Sequence, residues 1–430
     1  MKITCCLFIL LTLQLTACTP ADPSQPLTPD QTTTLDRGLE QIAADFELMG
    51  LAVVYIQDFQ VAYEGYTGLA VRETQTPLDA NSVVRIASPS KSLTAMALMQ
   101  LYEQGLVDLD ADVSRYLGWE LRSPHWPDEP VTLRMLLGHT SGIADGPTYS
   151  AFARTMIAER LPLRMLFTGT DGTRRWSGYS PDIFSEHCPG TYFSYSNAAW
   201  GLIASVIERV SGQRFDLYAR SHLFEPLGVE ASFNITDIRP EHIAALYRFQ
   251  NDAWTPQIDF YADAPPADRG YEGYEPGHNG LIYAPQGGLR ISTRGLITLA
   301  DVLLNQGQTT FSTPQPVRIL QAETLREMMA ENWRYDGSNG DTWDDFWRSF
   351  GLGLHRLTGE PGKDVIFVGV PMTGHPGIAY GLLSDVYVDP ATGTGVIFMT
   401  NGSKQPFAYG ETSFYQVEEA VFQLLETVKE

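Results

Sequence analysis

A serine and a lysine three residues apart offer a nucleophile and a base. Ser88 stands at the start of a strongly apolar stretch that indicates a helix, and Lys91 falls in the first turn of that helix. The Ser88-Pro89 pair is also typical of a helix start, so we expect Ser88 to cap the helix. A lysine at this end is disfavoured by the helix dipole, and burial disfavours its charge further. Both effects favour a neutral Lys91 amine that accepts the proton of the Ser88 hydroxyl.

The scarcity of lysine supports this interpretation. Of the 29 lysine and arginine residues only five are lysine, and Lys91 alone has a serine three residues before it. An arginine stays protonated in proteins and could not take up the proton. A lysine in a chain that otherwise prefers arginine therefore indicates a need for a group that can lose its charge.

A tyrosine and an asparagine further along the chain are candidates for the remaining proton transfer and for substrate binding. Tyr195-Ser196-Asn197 begins 107 residues after Ser88, and no other tyrosine has an asparagine two residues later. A phenol beside a lysine can pass a proton between nucleophile and leaving group, and an amide can orient the substrate carbonyl. A buried structural tyrosine with an asparagine helix cap is the alternative, and Ser232-Phe233-Asn234 is a weaker rival triplet.

Together these residues resemble the serine β-lactamase and penicillin-binding-protein superfamily, in particular its class C β-lactamase-like branch. The branch carries Ser-x-x-Lys, as at Ser88 and Lys91, followed by Tyr-x-Asn, as at Tyr195 and Asn197. Residues 136–143, 189–201 and 286–293 also resemble family segments, and the likeness extends from about residue 35 to the C-terminus. The resemblance implies an α+β fold of the β-lactamase/transpeptidase type and a serine hydrolase that forms an acyl-serine intermediate. His139, in the first of these segments, is expected to be structural.

The third family motif, Lys-Thr-Gly, is absent. The candidates are His375-Pro376-Gly377 and His278-Asn279-Gly280, and we favour His375 because it leads into a predicted strand. The resemblance implies that Asn197 and His375 position the substrate and that Gly377 lets the backbone approach it. It also implies that the backbone N–H groups of Ile378 and Ser88 form the oxyanion hole.

The sequence at this motif bears on the substrate. Pro376 offers neither a hydroxyl nor an N–H, and a neutral His375 offers no fixed charge. We therefore expect the free carboxylate that penicillins and D-Ala-D-Ala peptides carry to contribute little to binding. We expect a hydrolase of ester or amide carbonyls that favours esters. A β-lactamase, a D-amino-acid peptidase or D-Ala-D-Ala carboxypeptidase using the same residues, and a non-catalytic binding lipoprotein on the same fold are the alternatives.

The elements that must position these residues follow from the hydrophobic periodicity. Helices are predicted at residues 35–49, 91–104, 198–210, 294–305 and 414–428, and strands at 51–56, 61–64, 364–370, 379–388 and 395–400. This order predicts an antiparallel sheet flanked by helices, built from residues 35–90 and 307–430. A mostly helical lobe of residues 91–306 is inserted between them. Residues 332–350, rich in tryptophan and aspartate, are expected to form a lid over the site or a solvated loop, with a slight preference for the lid.

The N-terminus resembles a bacterial lipoprotein signal. Lys2 precedes an apolar run at residues 3–15, and Leu15-Thr16-Ala17-Cys18 resembles a lipobox that would make Cys18 the lipid-bearing first residue. We expect a signal peptide at residues 1–17, a flexible tether at 18–34 and the hydrolase at 35–430. The protein would be exported and lipid-anchored in the bacterial cell envelope, facing the periplasm in a Gram-negative cell. A plain secretory signal or an N-terminal anchor is the alternative.

Composition excludes other classes of function. The formal net charge is −22 and no basic run offsets it, so nucleic acid is not an expected partner. The eight histidines form no His-x-His or His-Glu-x-x-His pattern, and Cys188 is the only cysteine beyond residue 18, so neither a metal site nor an internal disulfide is expected. We therefore expect no cofactor and a small-molecule or peptide substrate, with the membrane contacted through the lipid anchor.

Overall fold

The computed structural model describes residues 27–261 and 265–429. Cys18, the predicted signal peptide and most of the predicted tether lie outside these residues. Within the described ranges, no helix combines the length and apolar character that crossing a bilayer requires.

The first helix begins earlier in the chain than the periodicity predicts. It starts at Pro29, and Thr28 caps it, since the Thr28 side chain accepts from the N–H of Gln31 and the Gln31 side chain accepts from the N–H of Thr28. Residues 29–34 are therefore helical, and the prediction of a flexible tether through residue 34 is wrong at its C-terminal end. The threonine-rich composition suggested a loop, but the capping box and the first-turn proline favour a helix.

The described residues form twelve α-helices and fourteen strands. In chain order the helices are α1 (Pro29–Asp45), α2 (Ser90–Glu103), α3 (Ser114–Leu117), α4 (Leu133–Leu137), α5 (Pro147–Thr155), α6 (Arg164–Thr168), α7 (Ala198–Ser211), α8 (Phe215–Ala219), α9 (Glu225–Leu227), α10 (Thr293–Leu304), α11 (Ala322–Met329) and α12 (Gln416–Glu426). The strands are β1 (Gly50–Gln57), β2 (Gln60–Val71), β3 (Thr76–Pro77), β4 (Val83–Arg85), β5 (Ala231–Ser232), β6 (Leu246–Gln250), β7 (Ala253–Ile258), β8 (Arg290–Ser292), β9 (Trp333–Arg334), β10 (Ser349–Phe350), β11 (His355–Arg356), β12 (Thr373–Ala379), β13 (Leu382–Asp389) and β14 (Thr394–Thr400).

The main sheet joins the two ends of the chain. It has nine strands in the order β3-β2-β1-β14-β13-β12-β11-β10-β9, and its neighbouring strands are antiparallel. Residues of β1 alternate between the two faces, so Leu51 and Val53 pack toward α1 and α12 while Ala52 and Val54 pack toward α2 and α10. The predicted α+β fold, with an antiparallel sheet flanked by helices, is confirmed.

The segment between the two halves of the sheet is less purely helical than predicted. It contains a small sheet in the order β4-β8-β5 and the hairpin β6-β7. Helix α10, assigned from sequence to the helical lobe, packs against β1, β13 and β14. Its strongly apolar face explains why: it covers the sheet face opposite α1 and α12.

Of two strand predictions in the C-terminal part, one is wrong and the other is confirmed except at its first three residues. Residues 364–370 form turns instead of a strand. The strand predicted at 379–388 is the second arm of a hairpin, because β12 ends at Ala379 and β13 begins at Leu382. Tyr380 and Gly381 have φ values of 57° and 94°, the left-handed pair that a two-residue hairpin turn requires. The turn is hidden in the sequence because a tyrosine occupies its first position.

Candidate active site

Ser88 lies in the turn between β4 and α2. The helix starts at Ser90 with Pro89 before it, and no side chain caps it, so the prediction that Ser88 caps the helix is wrong. The chain reverses at Ala87, whose φ is 56°, and the Ser90 hydroxyl donates to the Ala87 carbonyl at 2.6 Å. The hydroxyl of Ser88 is thereby left for contacts with side chains from other elements.

Lys91 is fully buried beneath that turn. Its Nζ lies 3.1 Å from the Ser88 Oγ, 2.7 Å from the Asn197 Oδ1 and 2.8 Å from the Gln286 carbonyl oxygen. Burial lowers the pKa of Lys91 to about 7, although the Asp145 carboxylate opposes the shift. Near neutral pH a substantial fraction of the amine is therefore uncharged and can act as a base.

Asp145 fixes the asparagine that contacts this lysine. Its carboxylate accepts from the backbone N–H of Asn197 at 2.8 Å, from the Asn197 Nδ2 at 2.7 Å and from the N–H of Ala198 at 2.9 Å. The amide nitrogen of Asn197 is thus held by Asp145, and its oxygen faces Lys91. Sequence reasoning missed Asp145, whose only signal is its position just after the family-like segment at residues 136–143.

Tyr195 lies between the base and the cavity. Its ring centroid is 4.8 Å from the Lys91 Nζ, and it is stacked between the rings of His139 at 4.4 Å and Trp347 at 5.0 Å. Burial raises the pKa of Tyr195 above its usual range, and a hydrogen bond with Ser88 offsets this only in part. Tyr195 is therefore a neutral phenol, suited to relay a proton and unsuited to act as a phenolate base.

His139 has a structural arrangement. It is buried, and its Nδ1 accepts from the backbone N–H of Ser196 at 3.0 Å. That bond ties the loop before α7 to the ring on which Tyr195 stacks. Burial and the nearby Lys91 lower the pKa of His139 well below its usual range, so the ring is neutral.

The hairpin register directs one backbone N–H toward the nucleophile. Ala379 and Leu382 close the two-residue turn as a hydrogen-bonded pair, so the next pair, Ile378 and Leu383, is non-hydrogen-bonded. The N–H of Ile378 consequently points away from β13, to the open edge of β12 beside the nucleophile turn. In the described part of the chain, no hydrogen bond occupies the N–H of Ser88. This N–H and that of Ile378 are therefore both available to bind an oxyanion.

The position of Gly377 leaves no room for a side chain. A Cβ there would lie 2.6 Å from the Pro89 Cδ and 2.7 Å from the Ile86 carbonyl oxygen, both next to the nucleophile, and 2.5 Å from the Ser384 Oγ. Glycine therefore allows β12 to approach the Ser88 turn this closely.

His375 is placed behind the site. Its side chain is buried, its Nδ1 lies 2.6 Å from the Pro376 carbonyl oxygen, and its ring packs near those of Tyr195 and Trp347. Burial lowers the pKa of His375 well below its usual range. The ring is neutral, and Pro376 contributes to the cavity wall where His375 does not, so any effect of His375 on substrate acts through packing.

The rival residues serve local structure. His278 contacts the rings of Tyr271 and Tyr274. The Ser232 hydroxyl donates to Asp237, and the Asn234 side chain caps a short 3₁₀ helix.

A cavity of about 150 Å³ opens from the nucleophile across the edge of β12. Its far wall comes from α12 and from the loop between β9 and β10, the segment expected to form a lid. The lining residues are Ser88, Tyr195, Asn197, Trp343, Phe346, Trp347, Pro376, Gly377, Ile378, Leu383, Tyr409, Ser413, Phe414, Tyr415 and Glu418. Among residues 27–261 and 265–429, no group of three or more His, Cys, Asp or Glu is arranged to hold a metal ion.

Comparison with known proteins gives one family. The sequence model described as Beta-lactamase matches residues 35–419. Penicillin-binding protein 4 of Amycolatopsis lactamdurans is 24% identical over 366 residues, which cover 84% of this chain and 83% of that protein. Esterase EstB of Burkholderia gladioli is 31% identical over 220 residues, 50% of this chain and 54% of the esterase, so this match spans about half the length of either protein.

The fold is also found among solved structures. The octameric penicillin-binding protein homologue from Pyrococcus abyssi matches with a TM-score of 0.66 at 22% identity, covering 93% of this chain and 77% of that one. At this identity the likeness concerns the fold, and the chemistry rests on the site geometry.

Proposed function

We propose that this chain, which belongs to the beta-lactamase family of serine hydrolases, hydrolyses esters and amides through an acyl-Ser88 intermediate and favours esters that carry no carboxylate. The observation that carries the proposal is the buried Lys91 amine, 3.1 Å from the Ser88 hydroxyl, with a pKa near 7. A protein that only bound its ligand would have no need of a lysine buried beside a serine.

The geometry supports the following sequence of steps. Neutral Lys91 takes the proton of the Ser88 hydroxyl while the Oγ forms a bond to the substrate carbonyl carbon. The N–H groups of Ser88 and Ile378 stabilise the negative oxygen. The proton passes from Lys91 through the Tyr195 hydroxyl to the leaving oxygen or nitrogen as its bond to carbon breaks. Water then attacks the acyl carbon and gives a proton to the same pair, which passes it to the Ser88 Oγ as the bond between Oγ and the acyl carbon breaks and the acid is released.

The preference for esters without a carboxylate rests on the edge strand. Position 376 lines the cavity on β12, and a proline there supplies neither a hydroxyl nor an N–H to a carboxylate. The nearest histidine is buried and neutral, so it adds no positive charge. The competing candidate, a β-lactamase or D-amino-acid peptidase, uses the same Ser88, Lys91 and Tyr195. It is favoured by the similarity to a penicillin-binding protein along most of the chain.

Acyl-enzyme trapping tests both candidates. The wild type and a Ser88→Ala variant are exposed to p-nitrophenyl esters, D-amino-acid peptides and penicillins, and the intact mass is measured after each. A mass increase equal to the acyl group, from the esters and only in the wild type, supports the proposal. An adduct formed with penicillins or D-peptides but not with esters favours the competing candidate, and adducts that persist in Ser88→Ala contradict Ser88 as the nucleophile.

The cellular location is part of the proposal and rests on sequence alone. The apolar run and the Leu-Thr-Ala-Cys sequence at residues 15–18 support export and lipid attachment at Cys18, which would hold the enzyme at the cell envelope. Mass analysis of the mature N-terminal peptide tests this. A diacylglyceryl-modified Cys18 is expected, whereas an unmodified cysteine or a start beyond it would contradict the anchor.

A further inference from the structure

The part of the cavity that takes the leaving group can be located from Tyr195. In the proposed function, on which this inference rests, Tyr195 hands a proton to the departing atom, so that atom must lie beside the phenol. The Tyr195 ring contacts Trp347 at 5.0 Å and Trp343 at 5.5 Å between centroids. The leaving group therefore occupies the space between these tryptophans and α12.

That space has an aromatic wall. Its rings are those of Trp343, Phe346 and Trp347, from the loop between β9 and β10, and those of Tyr409, Phe414 and Tyr415, from the segment before α12. Trp343 is 49% exposed and Tyr409 is 63% exposed, so both present ring surface at the mouth. Aromatic faces bind an uncharged apolar group, and they also attract a cation through the negative face of the ring.

A single carboxyl group decides between these two possibilities. Among the described residues that line the cavity, Glu418 is the only one with a carboxylate, and none is lysine or arginine. Glu418 is 3% exposed, and its Oε2 accepts from the backbone N–H of Tyr415 at 2.7 Å, which fixes the side chain at the start of α12. A negative group in an otherwise apolar wall would be unfavourable for a neutral leaving group and favourable for a positive one.

The surroundings of Glu418 add no positive charge. Asp385 on β13 is fully buried behind it, and burial raises the pKa of Asp385 well above its usual range, so this residue is protonated and donates to Glu418. The other titratable groups beside this pair are Glu419 on α12, Tyr415 at the start of α12 and Tyr387 on β13, which are acidic or neutral. Burial raises the pKa of Glu418 to about 7, so a fraction of this group is ionised near neutral pH, and the described lining residues offer its charge no lysine or arginine.

We propose that the cavity selects substrates whose leaving group carries a positive charge on a quaternary or protonated nitrogen, recognised by the faces of Trp343 and Tyr409 and by the carboxylate of Glu418. The substrate class is thus narrowed from esters that carry no carboxylate to esters of amino alcohols with a neutral acyl group.

Two esters that differ by one charge test the proposal. The acetate of N,N,N-trimethylethanolamine and the acetate of 3,3-dimethylbutanol have the same shape, because a carbon replaces the charged nitrogen. We expect the wild type to favour the charged ester by about tenfold in kcat/KM, as a cation–π contact with a nearby carboxylate would provide. Equal values for the two esters in the wild type would overturn the proposal.

Variants of the cavity residues test whether the preference for the charged ester arises there. Glu418→Gln keeps an acceptor for the Tyr415 N–H and should bring the ratio of the two kcat/KM values close to one. Glu426→Gln, at the C-terminal end of the same helix and outside the cavity, should leave the ratio unchanged. If Glu418→Gln does not fold, Trp343→Leu removes an exposed ring and should lower the ratio instead. If the cavity variant folds and the ratio of the two kcat/KM values is unchanged, the preference does not arise from this cavity.

A binding measurement separates this proposal from the proposed function. If the wild type cleaves neither ester, the esterase proposal is refuted, and tryptophan fluorescence is then titrated with tetramethylammonium and with neutral tert-butanol. Quenching by the cation alone, weakened in Glu418→Gln, would support the cation site independently of turnover. Quenching of equal strength by both probes, or by neither, would refute it.

Discussion

The amide oxygen of Asn197 lies 2.7 Å from the Nζ of Lys91, and this contact determines which face of the amine meets the nucleophile. A neutral amine has two N–H groups and one lone pair. The Asn197 oxygen and the Gln286 carbonyl, at 2.8 Å, take the two N–H groups, so the lone pair is left for the Ser88 hydroxyl at 3.1 Å. The arrangement thus orients Lys91 as a base in the absence of substrate.

The first prediction concerns pH. Lys91 accepts a proton only when it is neutral, and its pKa of about 7 means that it is mostly protonated below that pH. We therefore expect kcat/KM for p-nitrophenyl acetate to rise with pH through an apparent pKa near 7 and to level off above it. Burial raises the pKa of Glu418 to about 7 as well, so Glu418→Gln serves as a control. The rise of kcat/KM with pH should persist in this variant, because Lys91 is still present. A flat or falling profile between pH 6 and 8 would contradict Lys91 as the base.

The second prediction concerns Asp145 as a positioning residue. Asp145→Asn places an amide donor opposite the Nδ2 of Asn197, so the Asn197 amide is expected to rotate and remove its oxygen from Lys91. We expect kcat to fall by about 10- to 100-fold with little change in KM, the size of effect that misorienting a general base produces. Because the Asp145 charge raises the pKa of Lys91, the ascending limb should also move to lower pH.

A matched control is available for that experiment. Asp171 accepts backbone N–H groups from Thr173 and Arg174 in an exposed loop outside the cavity, so Asp171→Asn changes the same chemical group at a distance from the site. Its pH profile and kcat should match those of the wild type. An Asp145→Asn enzyme with unchanged kcat and an unmoved limb would show that Asp145 only stabilises the loop.

The catalytic side chains could be predicted from the sequence because their signals are local. Ser88 and Lys91 are three residues apart, and Tyr195 and Asn197 are two apart, so each pair is brought together by its own turn or helix end. Asp145 acts on Asn197 through the approach of two loops 52 residues apart in sequence, and no periodicity or spacing records that approach. The same holds for Glu418, which reaches the cavity only because α12 packs across the sheet.

The fold was predictable to a similar depth. Hydrophobic alternation indicated β1, β2 and β14, and apolar helical periodicity indicated α2, α7 and α10, because burial on a fixed face leaves a regular pattern. The hairpin between β12 and β13 and the helical start at Pro29 were missed. The hairpin depends on a left-handed turn pair that begins with a tyrosine, and the helix start depends on a reciprocal cap in a threonine-rich segment. The composition of neither segment indicates the structure that it forms.

The third prediction concerns Gly377. A methyl group at this position would meet Pro89 and the Ile86 carbonyl at less than van der Waals distance and force β12 away from the nucleophile turn. Since the displaced strand carries the N–H of Ile378, we expect Gly377→Ala to lower kcat by about 10²- to 10³-fold, as loss of an oxyanion donor does. Gly287→Ala is the control, because its Cβ would lie at an ordinary 3.6 Å from Ala87 and the activity should be retained. Comparable kcat in both variants would argue against the oxyanion assignment.

The last prediction concerns substrate charge at Pro376. This residue lines the cavity in a non-hydrogen-bonded pair with Asp385, so a threonine in its place would turn a new N–H to the open strand edge and offer a hydroxyl as well. A hydrogen bond to a carboxylate contributes about 1.5 to 3 kcal/mol, so Pro376→Thr should raise kcat/KM for a penicillin relative to a neutral p-nitrophenyl ester by about tenfold or more.

Replacing His375 by the lysine of the family motif should not produce this gain in carboxylate preference. His375 is buried among aromatic rings, close enough to Lys91 that a positive charge at position 375 would be repelled by a protonated Lys91. A permanent cation in its place would lose its hydration without gaining a partner, so His375→Lys should lower the melting temperature and gain no carboxylate preference. Measuring both variants with the penicillin and the neutral ester separates the two effects.

A wild type that already hydrolyses the penicillin far faster than the ester would mean that another group holds the carboxylate. Arg290 is a poor candidate for that role, because Asp259 binds its Nε at 3.0 Å and its second amino group at 2.8 Å.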